Sequence, residues 1–129
     1  TNVAFLRTQI ELIDKSFAAD EISELWITFP DPYPRDGDEK RRLSSPRFLK
    51  MYKPMMKKDG IIHFKTDNTG LFDYTLELFQ SRADIELLGF THDFYQSEWK
   101  DDHFGIQTRY EKMFSDKGEK IKYLKCRFV

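Results

Sequence analysis

Apolar and polar positions along the chain recur in blocks that predict a succession of strands and helices. Residues 2–7 predict a short strand, and Ile10, Ile13 and Phe17, with Leu12 beside them, predict a short helix over 10–17. After the connector Ala18-Ala19-Asp20-Glu21, residues 24–29 hold the apolar run Leu25-Trp26-Ile27-Thr28-Phe29, which predicts a buried strand. Prolines at 30, 32 and 34 forbid both a continued ladder and an immediate helix, so the chain leaves the sheet stiff and extended. Ser45-Pro46 predicts the next helix start, a hydroxyl cap with proline in the first turn. Phe48, Leu49, Tyr52, Met55 and Met56 supply its buried face, and Pro54 kinks or shortens it. Asp59-Gly60 reads as a turn before a strand over 61–66. Asn68-Thr69-Gly70 closes that strand and caps a helix over 71–81, with Phe72, Leu76 and Phe79 on one face and Leu78 alongside. A strand over 85–94 with Gly89 as a bulge, a polar and aromatic loop over 95–104, a helix over 109–117 ended by Gly118, and a strand over 120–129 complete the chain.

Strand and helix alternate until the two final strands, which argues for a doubly wound α/β fold with a mostly parallel sheet. There is no internal repeat and no low-complexity segment. In such a sheet ligands sit at the carboxyl ends of the strands. Asp31 stands there, on the rigid turn Phe29-Pro30-Asp31-Pro32-Tyr33-Pro34-Arg35, just ahead of Glu39-Lys40-Arg41-Arg42. A carboxylate, an aromatic and a cation on one stiff turn suggest a site that grips a nitrogenous base and its phosphates.

Composition sharpens this. A chain of 129 residues is one domain's worth, and its 40% hydrophobic and 33% charged residues are those of an ordinary globular protein. No apolar run approaches the roughly 20 residues that span a bilayer, and no signal-peptide pattern appears, so no membrane partner is expected. The single cysteine, Cys126, reads as a buried inert thiol and points to a cytoplasmic location. Three dispersed histidines and one cysteine lack metal-ligand spacing, and His63, alone on its strand, reads as satisfied structure. The net charge of −1 conceals an asymmetry: residues 35–58 carry nine Lys or Arg against three Asp or Glu, a net +6, which leaves −7 elsewhere. A basic segment in a near-neutral chain suggests local phosphate contact, although a solvated helix face would produce some of the same bias. The chain opens on Thr1 and enters directly on a strand-like run, for which a fragment or processed product is the natural inference.

Three blocks together carry a more specific resemblance. Phe29-Pro30-Asp31-Pro32-Tyr33-Pro34-Arg35 with Glu39-Lys40-Arg41-Arg42, then His63-Phe64-Lys65-Thr66-Asp67-Asn68, then Thr108-Arg109-Tyr110-Glu111, stand in the order found in the bacterial tRNA (guanine-N7-)-methyltransferases. Tyr33 replaces the more usual Trp and Arg35 the more usual Lys; the first keeps a stacking face and the second keeps the charge. The resemblance implies a Rossmann-like class I methyltransferase fold that uses S-adenosylmethionine, whose last strand is antiparallel. It further implies that residues 1–129 are the carboxyl-terminal part of a single domain. The strands here would be that fold's third to seventh. The glycine-rich cofactor turn that follows its first strand has no counterpart, since this chain has no G-x-G-x-G. The segment 2–7 would then lack its neighbours and be loosely held, re-paired, or completed by a second copy or an absent amino-terminal half.

The resemblance also assigns roles. Asp31 is the catalytic residue and borders the cofactor; its plainer reading is an Asp-Pro turn. Asp67 binds substrate and should lie near Asp31; otherwise it caps the following helix. Thr108, Arg109, Tyr110 and Glu111 contact substrate, while as spelled Thr108-x-x-Glu111 is a capping box, and the two readings are compatible. Arg35 is a substrate contact, and Gly37, Asp38, Glu39, Lys40, Arg41 and Arg42 match the RNA-interacting segment, although three consecutive cations cannot all face one way. Arg47, Lys50 and Lys53 could extend the basic track. Gln9, beside Thr8, is placed against the cofactor's adenine. The implied function is methylation of guanine N7 at position 46, in the tRNA variable loop, with tRNA as partner and little activity from this chain alone. Two alternatives stand beside it: a noncatalytic RNA-binding module, and an amino-methyltransferase acting on an exocyclic base nitrogen.

Overall fold

The computed structural model describes residues 2–129. Strand β1 (Ile22–Thr28) pairs in parallel with β2 (Met56–Thr66), and β4 (Lys122–Phe128) lies antiparallel between β2 and β3 (Ile85–Thr91). The sheet order is β1-β2-β4-β3, so β1, β2 and β3 share one direction and the last strand opposes them, as the family resemblance implies.

Helix α1 (Pro46–Met55) and helix α2 (Thr69–Ser81) cover one face of this sheet. Alternation along β2 decides the layers. Ile62 and Phe64 point into the main core with Phe48, Leu49, Phe72 and Phe79. His63 and Lys65 point to the opposite face, where Phe94, Ile121 and Tyr123 form a second apolar cluster beneath Trp26, Phe29, Tyr95, Trp99 and Phe114. Helix α3 (Arg109–Asp116) adjoins that second face through Phe114. Cys126 is buried in the main core, and burial pushes its thiol up to about 12, the inert state expected of it.

Several expectations are corrected. Residues 2–7 form no strand; they are exposed, with Phe5 at 98%, and pair with no strand among the described residues. Residues 10–17 do not make an α-helix: a 3-10 turn spans Ile10–Lys15, and Ile10, Ile13 and Phe17 pack against the main core. The turn at Asp59-Gly60 is instead a bulge inside one long strand. The β1–β2 register jumps from Ile22↔Met56 to Glu24↔Ile61, and Asp59 takes φ +64°. A side chain at Gly60 would meet three atoms at 3.0–3.1 Å, two of them backbone, which is why the excursion needs glycine. The helix before it ends at Met55, one residue past Pro54, and β2 begins without a loop. Ser45 leaves the amino terminus of α1 uncapped and turns its hydroxyl to the Lys40 carbonyl. Strand β3 stops at Thr91, because Phe94 turns down into the second core, its N–H bonded to the Ile121 carbonyl at 2.7 Å. The predicted bulge at Gly89 is present, and a Cβ there would lie 2.5 Å from the Trp99 indole.

Candidate active site

The proline turn that ends β1 is a strained object. Phe29 still donates its N–H to the Lys65 carbonyl at 2.8 Å, but takes φ +51°, and Tyr33 takes φ +41°. Positive φ at bulky residues costs roughly 1–3 kcal/mol each and persists only where the surroundings impose it. Two groups do so here. The Phe29 ring sits in the second core, 5.4 Å from the Tyr110 ring. The Tyr33 carbonyl accepts the Arg42 Nε–H at 3.0 Å. Between these anchors Pro30 and Pro32 are half-buried. Asp31 is exposed, and its carboxylate has no hydrogen bond or ion pair among the described residues.

Asp67 lies one residue past the end of β2, and the pairing Thr28↔Lys65 brings both acids to the same end of adjacent parallel strands. Its backbone carbonyl accepts Lys122 Nζ at 2.9 Å, while its carboxylate, like that of Asp31, has no partner among the described residues. Asn68, not Asp67, caps α2, accepting the Leu71 N–H at 2.8 Å. Both acids act on one phenol. The Tyr110 hydroxyl is raised above its ordinary pKa by partial desolvation and then by the charges of Asp67 and Asp31. The structure thus gathers Asp31, Asp67 and Tyr110 at one rim, with exposed Arg109 beside Tyr110.

The block 108–111 divides. Thr108 caps α3 through Glu111 N–H at 3.0 Å, but the reciprocal half of the capping box is not made. The Glu111 side chain is fully buried, paired with Lys65 Nζ at 2.7 Å and bonded to the Tyr95 hydroxyl. The substrate contact expected of Glu111 is therefore corrected: it has no exposed surface with which to make one.

The basic run also divides. Residues Asp36–Arg41 form a 3-10 turn around open Gly37. Arg35 bonds to Asp38 at 3.3 Å and stays 86% exposed; Arg41 reaches Asp38 at 3.9 Å, and Lys40 is exposed. Arg42 is corrected, for it turns inward. Its guanidinium is 4.4 Å from the Tyr74 ring centroid, and Tyr74 donates its hydroxyl hydrogen to Glu39 at 2.7 Å. Glu39 and Arg42 thus brace the loop, leaving Arg35, Lys40 and Arg41 as the outward cations. Along α1, Lys53 is held by Asp84 at 3.0 Å, which shortens the conjectured basic track. Gln9 is exposed at the start of the Ile10–Lys15 turn, outside the sheet, and makes no side-chain hydrogen bond among the described residues. His63 is satisfied, as expected: it stacks on Trp26 at 3.9 Å and bonds to Tyr123 and Glu24 at 2.7 and 2.9 Å. The sequence pointed to neither Tyr95 nor Lys65 as a partner of Glu111; the one available signal was a lysine alternating with the apolar Ile62 and Phe64 on β2.

Below the rim a cleft of about 210 Å³ is lined by Trp26, Thr28, Lys65, His103, Phe104 and Thr108, among others. A larger apolar groove of about 420 Å³ runs along β1, which pairs only with β2 among the described residues.

A family model described as "Putative methyltransferase" matches residues 1–124. The chain belongs to this methyltransferase family. Family members similar to it include a tRNA (guanine-N(7)-)-methyltransferase of Cytophaga hutchinsonii, 46% identical over 100% of this chain and 59% of the relative. Others so named are from Bacteroides thetaiotaomicron, 44% identical over 98% of the chain and 49% of the relative, and Staphylococcus saprophyticus, 38% identical over 99% and 59%. The chain spans about half the length of the curated relatives it matches.

Proposed function

We propose that this chain forms the base-binding side of an enzyme that methylates guanine N7 in tRNA, at position 46 of the variable loop, with S-adenosylmethionine as methyl donor. The observation that carries the proposal is the pair of uncommitted carboxylates, Asp31 and Asp67, at one rim beside Tyr110. Guanine N7 carries a lone pair at neutral pH, so it needs no strong general base. It needs orientation and a counter-charge as the purine becomes cationic. Asp31 and Asp67 accept guanine N–H groups and offset that charge. Tyr110, supported on Phe29, offers a ring face to the base, and the outward Arg35, Lys40 and Arg41 take the phosphates.

A cationic methyl donor fits Asp31, an exposed carboxylate without a partner among the described residues. When bound, the donor supplies an electrophilic methyl group. Asp31 holds at most one side of it, because none of the six glycines makes a G-x-G turn to cradle a nucleoside. That same feature favours a second reading for this chain alone, a noncatalytic RNA-binding module. The test is formation of 7-methylguanosine in unmodified tRNA by the protein as its gene encodes it, by residues 1–129 alone, and by Asp31→Ala. Activity, little or none, and a loss of about 10²–10³-fold are expected in that order. A product methylated on an exocyclic amine would move the assignment to the amino-methyltransferases, and uptake of tRNA without S-adenosylmethionine binding would favour the module.

A further inference from the structure

We infer that Lys65, Glu111 and Tyr95 form a buried latch that sets the position of Arg109 and Tyr110 at the reaction rim. The inference rests on the proposed reading of that rim as the base-binding site.

Lys65 is 2% exposed and Glu111 0%. Lys65 Nζ lies 2.7 Å from Glu111 Oε2 and 3.4 Å from His103 Nδ1, between the Trp26 and Phe94 rings at 5.6 Å from each centroid. The other carboxylate oxygen, Oε1, accepts the Tyr95 hydroxyl, which in turn accepts Gln107 Nε2–H at 2.6 Å. One carboxylate therefore joins the central strand β2, the loop after β3 and the first turn of α3.

Stability alone is a weak reason to bury such a pair. Removing two charges from water offsets most of their attraction, and apolar side chains of similar volume do as well or better. What the pair supplies and an apolar contact lacks is direction. Apolar packing tolerates sliding, whereas a paired ion leaves an uncompensated buried charge if either end moves. Glu111 directly follows Arg109 and Tyr110, so fixing its carboxylate fixes the turn that carries them to Phe29, Asp31 and Asp67. Lys65 stands on β2 two residues before Asp67, which follows the end of that strand. The latch thus ties one wall of the site to the strand that presents the other. Its members are positioning residues, since Glu111 has no surface with which to touch a base.

The test uses the protein as its gene encodes it. With tRNA affinity set by phosphate contacts elsewhere, Lys65→Met is expected to lower kcat by about 10²-fold while KM for tRNA stays within about threefold. Tyr95→Phe, which keeps the ion pair and the ring packing, is expected to lower kcat by about tenfold with Tm lowered by no more than about 10 °C. Amide hydrogen exchange gives a readout independent of activity. In both variants exchange should accelerate over 104–112 while β1 and β2 stay protected. Unchanged exchange over 104–112, acceleration spread through the whole sheet, or a fall in tRNA affinity equal to the fall in kcat/KM would overturn the latch. If the wild-type protein makes no 7-methylguanosine, the functional reading fails, and the exchange data still decide whether the latch exists.

Discussion

Arg42 sits in a run of three cations, yet the structure gives it a different job from its neighbours, and the difference is measurable. In Arg42→Met the Tyr33 carbonyl loses a charged donor at 3.0 Å, worth roughly 1.5–3 kcal/mol, and the Tyr74 ring loses a guanidinium at 4.4 Å, worth about 0.5–2 kcal/mol. Relaxation of Tyr33 from φ +41° returns part of this, about 1 kcal/mol. A net loss of about 1–4 kcal/mol follows, or roughly 3–15 °C in Tm for a domain of this size. Lys40→Met, by contrast, removes an exposed charge and leaves Tm nearly unchanged. The assay is tRNA binding across a salt series, with thermal unfolding measured on the same samples. Each lost phosphate contact should flatten the plot of log affinity against log salt by about 0.7–0.9. Lys40→Met should show that flattening, whereas Arg42→Met should keep the wild-type slope with a lower Tm. An Arg42→Met protein of normal stability and reduced slope would refute the reasoning, because it would place the guanidinium on phosphate.

Two further outcomes test the fold that carries the site. Gly89→Ala puts a methyl group about 2.5 Å from the Trp99 indole and should destabilise by about 1–3 kcal/mol in urea unfolding; no loss would mean that the ring moves freely aside. Burial holds His63 below its ordinary pKa, with the hydrogen bond to Glu24 opposing it. A depressed folded-state value means that the unfolded chain binds the proton first. The contribution of His63 to stability is therefore present above about pH 6.5 and is lost as pH falls through the folded-state value. Urea midpoints at pH 7.5 and 5.0 should fall less on acidification in His63→Gln than in wild type, and an equal or greater fall would show that pairing with Glu24 outweighs burial.

The sequence by itself determined what depends on neighbours along the chain. A continuous apolar run marked β1, Asn68 and Thr108 marked helix starts, Gly118 marked a helix end, and three spaced prolines marked the turn that holds Asp31. Two further features of the site were also legible: the order of strands that brings Asp67 beside it, and the outward cations of the Arg35–Arg41 segment. Where local signals met a competing partner, or lacked the partner they needed, tertiary structure decided. Ser45 is spelled as a cap but bonds elsewhere, Asp59-Gly60 is spelled as a turn but continues a ladder with β1, and residues 2–7 are spelled as a strand but find no strand to pair with among the described residues. The same holds at the site. Arg42 and Glu111 look like ligand contacts because they are charged and stand in motifs. Only the fold brings Tyr33 and Tyr74 to one, and Lys65 and Tyr95 to the other. A charge gives no sign in sequence of whether it meets solvent or a buried partner, since that depends on which distant side chain the packed layers place within about 3 Å of it.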